Sequence, residues 1–148
     1  MSSRIEKASD RFSEGYNCAQ SVFSAFSSSF GLDEKRAIQI ASGFGGGMAR
    51  LQEVCGAVTG AFMVFGTANG EADPSNPVEK AQTDEQVLAF SKRFRKMHGS
   101  LLCRDLLELD LNTEEGQQEL KERDLLNTVC ARCVRDAATI VEDLITEK

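Results

Sequence analysis

Apolar residues recur at helical spacing along most of the chain, and glycines or capping residues separate the segments. The first segment covers residues 3–12 and ends at a glycine. Asn17, a residue type that caps helix N-termini, precedes a second segment at residues 18–30, and Gly31 is a suitable C-terminal stop. Asp33 opens another helical segment, which runs into a glycine-rich turn. The N-terminal part of the chain is therefore predicted to be helical.

The middle of the chain continues this pattern. A helix that begins near Cys55 ends at the Asn-Gly pair at 69–70. Residues 71–82 are polar and contain both prolines, which predicts a surface loop. Thr83, with a glutamine three residues later, has the pattern of a capping box, so we expect the next helix to begin there and to end at Gly99.

The C-terminal part is also predicted to be helical. Short segments begin at Cys103 and Thr113, and a last helix over about residues 125–145 carries one continuous apolar stripe. The β-branched residues are scattered, and each short apolar run fits a helical period, so we predict no strand. The expected fold is all-α, a single-domain bundle of about six or seven helices over residues 1–148. The apolar stripe also indicates a homodimer through the last helix.

The charge of the chain excludes some classes of partner. A net charge of −6, with no run of Lys or Arg, argues against nucleic acid and acidic membrane surfaces. No apolar stretch approaches the ~20 residues that a membrane span needs. Charged residues occupy the N-terminal region, where an export signal would need an apolar core. We therefore expect a cytoplasmic protein with no membrane span.

Cysteine is the residue type that could carry chemistry here. The five cysteines are Cys18, Cys55, Cys103, Cys130 and Cys133, an odd number that is unusual for a secreted disulfide framework. In a reducing compartment, cysteines are buried apolar groups, metal ligands or redox groups. The single histidine, His98, cannot build a multi-histidine metal site. It lies five residues before Cys103, so it is either part of a Cys–His pair or, more commonly for this position, a helix C-terminal cap.

Glycines at positions 43 and 45–47 precede Cys55 in the sequence. Glycines suit a close approach between backbones, or an exposed row of N–H groups that an anion or thiolate can use. The candidates for cofactor binding are therefore Gly45, Gly46, Gly47 and Gly56. Gly56 and Gly60 share one helical face, which either packs closely against another helix or leaves Cys55 open to a partner.

The setting of each cysteine bears on its reactivity. Cys55 lies near a predicted helix start, where the helix dipole and free N–H groups favour the thiolate over the thiol. Cys18 and Cys103 also lie near predicted helix starts. Cys130 and Cys133 form a C-x-x-C pair within the apolar stripe of the last helix, so burial in the core explains them as well as chemistry does.

Several motifs are distinctive when they are taken in order. They are Asn17-Cys18-Ala19-Gln20, Ser42-Gly43-Phe44-Gly45-Gly46-Gly47-Met48, Glu53-Val54-Cys55-Gly56-Ala57-Val58-Thr59-Gly60-Ala61, Gly99-Ser100-x-x-Cys103-Arg104 and Cys130-x-x-x-Val134-Arg135-Asp136-Ala137. Together they resemble the C_GCAxxG_C_C family of small redox-active proteins, over nearly the whole chain. The resemblance implies that Cys18, Cys55, Cys103 and Cys130 are the four cysteines of that family. Cys133 stands where a large apolar or aromatic residue is expected.

The first hypothesis is a thiol-based redox protein, a thiol–disulfide oxidoreductase with an unidentified redox partner. Cys55 would be the attacking thiolate, left accessible by the neighbouring glycines. Cys18, Cys103 or Cys130 would resolve the mixed disulfide, so all four are candidate catalytic residues.

Two alternatives remain open at the level of sequence. In the first, Cys18, Cys55, Cys103 and Cys130 converge on a thiolate-bound metal, such as zinc or an iron–sulfur cluster, with the glycine turn donating N–H groups to the sulfurs. In the second, the protein is a helical accessory protein with structural cysteines. Cys133 is either an additional thiol of the site or a substitution in the core.

Overall fold

A computed structural model describes residues 3–70 and 73–146, and this part of the chain forms nine helices and no strand. The all-α prediction is confirmed. The helices are α1 Arg4–Ser13, α2 Cys18–Ser27, α3 Glu34–Ile40, α4 Gly45–Met48, α5 Gly56–Asn69, α6 Pro77–His98, α7 Cys103–Leu107, α8 Glu114–Glu122 and α9 Ala131–Thr146. No helix within these residues combines the length and the apolar character that crossing a membrane requires.

Helix α5 lies at the centre of the fold. It packs against α2, α6 and α9, and α1 covers α2 and α9 from the outside. Its apolar and small residues are buried around most of its circumference, as expected for a helix enclosed by others. Phe65 on α5 and Phe90 and Phe94 on α6 are completely buried, with the rings of Phe90 and Phe94 stacked at 5.7 Å. This core holds in place the helix whose first turn follows Cys55.

The N-terminus of α2 is fixed by a reciprocal capping box. The Asn17 side chain accepts from the backbone N–H of Gln20 at 2.8 Å, and the Gln20 side chain accepts from the backbone N–H of Asn17 at 3.0 Å. The Asn17 amide also donates to the carbonyl of Ser42 at 3.1 Å, which ties α2 to the start of the glycine-rich segment. The predicted cap at Asn17 is confirmed.

Replacing Asn17 with alanine is expected to lower the free energy of unfolding by about 1–2 kcal/mol, because a satisfied cap is lost. Urea unfolding followed by circular dichroism measures this change. Asn76→Ala is the matched control, since Asn76 precedes α6 without a capping hydrogen bond from its side chain. An equal loss of stability in both variants would contradict the capping argument.

The predicted start of α6 at Thr83 is wrong. The helix begins at Pro77, and the Thr83 hydroxyl donates back to the carbonyl of Glu79 at 3.2 Å inside it. Proline is tolerated in the first helical turn because its missing N–H would have had no partner there. The predicted loop at residues 71–82 therefore shrinks to its first part, of which residues 71 and 72 lie outside the described residues.

The last helix has an irregular start. Residues Leu126–Cys130 form a π turn, in which the N–H of Ala131 donates to the carbonyl of Leu126, before α9 continues to Thr146. The apolar stripe of α9 is buried in the core of its own chain. The homodimer predicted from that stripe stays untested.

Candidate functional site

A short antiparallel contact places Cys55 beside Cys103. Val54 pairs with Leu102, the N–H of Cys55 donates to the carbonyl of Leu101 at 2.8 Å, and the N–H of Cys103 donates to the carbonyl of Glu53 at 2.7 Å. Each of these cysteines directly precedes or begins a helix, α5 or α7. Two distant segments are thus joined through backbone hydrogen bonds at the point where both carry a thiol.

Gly56 and Gly60 bring Cys18 to the same place. A Cβ atom at Gly56 would lie 3.0 Å from both the backbone N of Ala19 and the Cβ of Cys18, and one at Gly60 would lie 2.8 Å from the carbonyl oxygen of Ala19. The glycine face of α5 therefore packs directly against α2, which confirms the packing interpretation. The expectation that this face leaves Cys55 accessible is wrong, because Cys55 is only 7 % exposed.

The cysteines of the last helix complete the cluster. The Cys18 thiol hydrogen-bonds to Cys130, and the Cys133 thiol donates to Cys55. We call Cys18 and Cys130, which are partly exposed, the outer pair, and Cys55 and Cys133, which are buried, the inner pair. All the cysteines are free thiols in this structure. Cys103 lies beside them, near enough for charges on Cys55 and Cys130 to act on it.

The surroundings of Cys55 favour its thiolate form. The hydrogen bond from the Cys133 thiol lowers the pKa of Cys55, and the backbone N–H groups of Ala57 and Val58 lower it further, against the opposing effect of burial. The same hydrogen bond raises the pKa of Cys133, as burial also does. The hydrogen bond to Cys130 and burial raise the pKa of Cys18.

The environment of Cys103 also disfavours its thiolate. Burial raises the pKa of Cys103 to about 12, and negative charge on Cys55 or Cys130 adds to the effect. Its side chain packs with Leu107, Leu111 and Leu125 in a second, smaller apolar cluster. Cys103 therefore borders the two thiol pairs as a protonated, mostly apolar neighbour.

The glycine-rich segment has an unusual backbone. Residues 46–50 all have positive φ, and they include Met48 at 70°, Ala49 at 51° and Arg50 at 67°. L-residues other than glycine rarely adopt this left-handed conformation in succession, because Cβ then approaches the following carbonyl oxygen. Hydrogen bonds from the N–H of Gln52 to the carbonyl of Gly46 and from that of Glu53 to the carbonyl of Gly47 close the turn.

The glycines of this turn allow close contact with the parts that carry cysteines. A Cβ at Gly45 would overlap the Asn17 side chain at 2.5 Å, next to Cys18. A Cβ at Gly47 would lie 2.8 Å from the Cβ of Cys103. Gly45, Gly46, Gly47 and Gly56 thus have a structural explanation, and their binding of a cofactor stays a prediction.

Gln52 is a site residue that the sequence analysis missed. Its buried side chain donates to the carbonyl of Leu109 at 2.7 Å and accepts from the N–H of Leu111 at 2.9 Å. It thereby fastens the end of the left-handed turn to the segment between α7 and α8. Nothing in the local sequence distinguishes this glutamine from an exposed one.

His98 lies next to Cys133 and not next to Cys103. Its Nδ1 is 4.0 Å from the Sγ of Cys133, and its Nε2 is 2.9 Å from Oδ2 of Asp136. The ring packs on Phe94 with a centroid distance of 4.6 Å. The sequence offered one signal for this contact, since Cys133 and Asp136 are three residues apart and so share a face of α9.

The metal-ligating side chains of the described residues are not grouped as they would be in a metal centre. In the part of the chain that the structure describes, no group of three or more His, Cys, Asp or Glu side chains is placed to hold a metal ion. The sulfurs are instead arranged in pairs, with one thiol of each pair hydrogen-bonded to the other. This pairing favours thiol chemistry, while the metal hypothesis for Cys18, Cys55, Cys103 and Cys130 stays a prediction.

The comparison with protein families agrees with the motifs. Residues 16–144 match the family model described as "Putative redox-active protein (C_GCAxxG_C_C)". The searches of curated proteins and of solved structures found no match. The matched region begins just before Cys18 and includes every residue of the thiol cluster and the His98–Asp136 contact.

Proposed function

Since the chain belongs to the C_GCAxxG_C_C family of redox-active proteins, we propose that it carries out thiol–disulfide exchange with Cys55 as the central nucleophile. The observation that supports this most strongly is the position of Cys55 as the buried N-cap residue of α5, where the Cys133 thiol and the N–H groups of Ala57 and Val58 lower its pKa. This arrangement stabilises a thiolate, the reactive form of cysteine, directly beside a second thiol.

The reaction needs a disulfide as the oxidant. The Cys55 thiolate attacks one sulfur of that disulfide, the S–S bond breaks, and the other sulfur leaves as a thiolate. Cys133 then gives up its proton and attacks the sulfur of Cys55, which forms the Cys55–Cys133 disulfide and releases the second thiolate. Two electrons pass from the inner pair to the disulfide, and the two released thiolates take up two protons, one from Cys133 and one from water.

The solvent exposure of the cysteines indicates which disulfide Cys55 attacks. Cys55 is buried, whereas Cys18 and Cys130 are partly exposed and in contact with each other. Cys18 also lies within the electrostatic influence of Cys55. In this proposal the outer pair is oxidised to a disulfide by a disulfide-bearing protein or small molecule, and Cys55 then attacks Cys18. The outer pair thus exchanges with the redox partner, and the inner pair supplies the electrons.

Mild oxidation is expected to produce two disulfides, Cys18–Cys130 and Cys55–Cys133, and to leave Cys103 reduced, because Cys103 belongs to neither pair and packs among Leu107, Leu111 and Leu125. A thiol count and peptide mapping by mass spectrometry on the folded protein measure this result. Elemental analysis of the same anaerobically purified sample tests the metal hypothesis.

The matched control is Cys103→Ser, which is expected to give the same two disulfides. If all thiols remain reduced under conditions that oxidise a small dithiol, the proposed function is wrong. If Cys103 replaces Cys133 as the partner of Cys55, the assignment of the inner pair is wrong, although the central place of Cys55 stands.

A further inference from the structure

The contact between His98 and the inner pair has no part in the exchange described so far. His98 is the only histidine of the chain and the last residue of α6. Its side chain is 11 % exposed and lies between two residues of α9, Cys133 and Asp136. Phe94, one turn earlier on α6, packs against the imidazole ring and restricts its orientation.

The partners of the ring determine its tautomer. A carboxylate of Asp136 can only accept a hydrogen bond, so the Nε2 atom at 2.9 Å must carry the hydrogen. The neutral ring then presents the lone pair of Nδ1 toward the Cys133 sulfur at 4.0 Å. A thiol, an imidazole lone pair and an orienting carboxylate in this order form the arrangement that activates nucleophilic cysteines in enzymes.

We propose that His98 is the acid–base residue of the inner pair, and that Asp136 is a positioning residue that holds its tautomer and orientation. The inference rests on the proposed exchange at Cys55. As Cys133 attacks the Cys55 sulfur of a mixed disulfide, its proton passes to Nδ1 of His98, the S–S bond to the outgoing sulfur breaks, and that sulfur leaves as a thiolate. The imidazolium, balanced by the Asp136 carboxylate, then returns the proton to the outgoing thiolate or to water.

The state of Cys55 decides when the proton can move. In the reduced protein a hydrogen bond from the Cys133 thiol favours the thiolate of Cys55. Once Cys55 is part of a mixed disulfide, its sulfur carries no charge and accepts hydrogen bonds only weakly. The S–H of Cys133 then has the Nδ1 of His98 as its stronger acceptor. The base therefore acts only after the first bond has formed, which is the step where a second thiolate is needed.

A kinetic experiment with oxidised glutathione as the probe tests this sequence. The reduced full-length protein is mixed with the probe, quenched with acid and mapped by mass spectrometry over time. In His98→Gln, a mixed disulfide at Cys55, with Cys18 or with glutathione, is expected to accumulate while its conversion to Cys55–Cys133 slows by about 10²–10⁴-fold, the usual contribution of general acid–base catalysis. Asp136→Asn is also expected to slow the conversion, because an amide can donate to Nε2 and favour the wrong tautomer.

Two controls separate this role from a structural one. Asp143→Asn removes an exposed carboxylate from the same helix and is expected to leave both steps unchanged. Cys133→Ser is expected to trap the mixed disulfide, and adding His98→Gln to it is expected to change nothing further. Conversion in His98→Gln at the rate of the unaltered protein overturns the inference alone. If no mixed disulfide at Cys55 forms in any variant, Cys133→Ser included, both the inference and the proposed function are wrong.

A measurement on the unaltered protein removes the dependence on the folding of variants. Because the chain has one imidazole, its ¹⁵N nuclear magnetic resonance signals belong to His98 without assignment. In the reduced protein we expect the tautomer with hydrogen on Nε2 and a free Nδ1. A ring with hydrogen on Nδ1 would overturn the inference, because that nitrogen could not accept the Cys133 proton.

Discussion

Cys55→Ser is expected to lower the rate at which the inner pair gives up electrons, seen as loss of the Cys133 thiol, by at least about 10³-fold while the protein remains folded. Replacing the nucleophile of an enzyme usually costs this much or more, because no other group attacks from the same position. The fold should tolerate the change, since Cys55 occupies the N-cap position of α5, where serine is a preferred residue. Peptide mapping of the Cys133 thiol during oxidation by oxidised glutathione, together with the circular dichroism spectrum, measures both parts of the prediction.

Cys103→Ser is the matched control for this experiment. It removes a neighbouring thiol at the start of another helix, and the exchange rate should stay close to that of the unaltered protein. A different result would change the assignment of the nucleophile. If Cys133 is oxidised as fast in Cys55→Ser as in the unaltered protein and stays reduced in Cys130→Ser, the nucleophile that reacts with Cys133 belongs to the outer pair, and Cys55 stabilises the site only through hydrogen bonding.

Gly47→Ala is expected to destabilise the protein by about 2–5 kcal/mol. Gly47 has φ of +67°, where alanine costs about 1–2 kcal/mol. The new Cβ would also lie 2.7 Å from both the Cα of Gln52 and the backbone N of Glu53, and such overpacking costs about 1–3 kcal/mol. Because the Cβ of Cys103 lies only 2.8 Å away, we also expect the Cys103 thiol to shift and to react faster with a thiol reagent.

Gly43→Ala is the control within the same segment. Gly43 has no positive φ, and a Cβ there would meet no atom within 4 Å. The expected change in the free energy of unfolding is within about 0.5 kcal/mol, as for other exposed substitutions. Urea unfolding of both variants measures the difference. Equal stabilities would show that the turn has a different backbone in solution.

Local sequence signals were sufficient to predict most of the fold. The helical spacing, the cap at Asn17 and the stops at Gly70 and Gly99 all depend on residues within one or two turns of each other. The start of α6 could not be predicted in this way, because Pro77 fits the first turn of a helix as well as it fits a loop. Tertiary contacts of α6 decide between the two.

The sequence predicts which cysteines are candidates for the site, but not how their sulfurs are paired. The positions of Cys18, Cys55, Cys103 and Cys130 follow from the motifs, but the pairing of their sulfurs depends on contacts between distant segments. Cys133 was missed as the partner of Cys55, since its spacing fits core burial equally well. The contact of His98 with Asp136 joins residues 38 apart in sequence, so the local pattern shows only that Cys133 and Asp136 share a face of α9 and not that His98 meets them.

The accessibility of Cys55 is the clearest example of a property that the sequence could not predict. A bare glycine face at Gly56 and Gly60 is compatible with open space and with a closely packed helix. The choice depends on whether another backbone of suitable shape is available, and α2 provides it through Ala19. Steric complementarity between two helices is a property of the folded chain and is not encoded in either segment alone.

The π turn at the start of the last helix constrains the number of residues in that segment more strongly than their identity. Leu125, just before the turn, packs into the small cluster around Cys103, whereas Cys133 and the rest of the α9 stripe face the main core. An α-helix advances by about 100° per residue, so deleting one residue there would rotate one of these faces away from its cluster. Residues 126–128 are exposed, so their side chains can vary. Their number, however, sets the rotation about the helix axis between Leu125 and the apolar stripe of α9. Related sequences should therefore differ here by substitution far more often than by insertion or deletion.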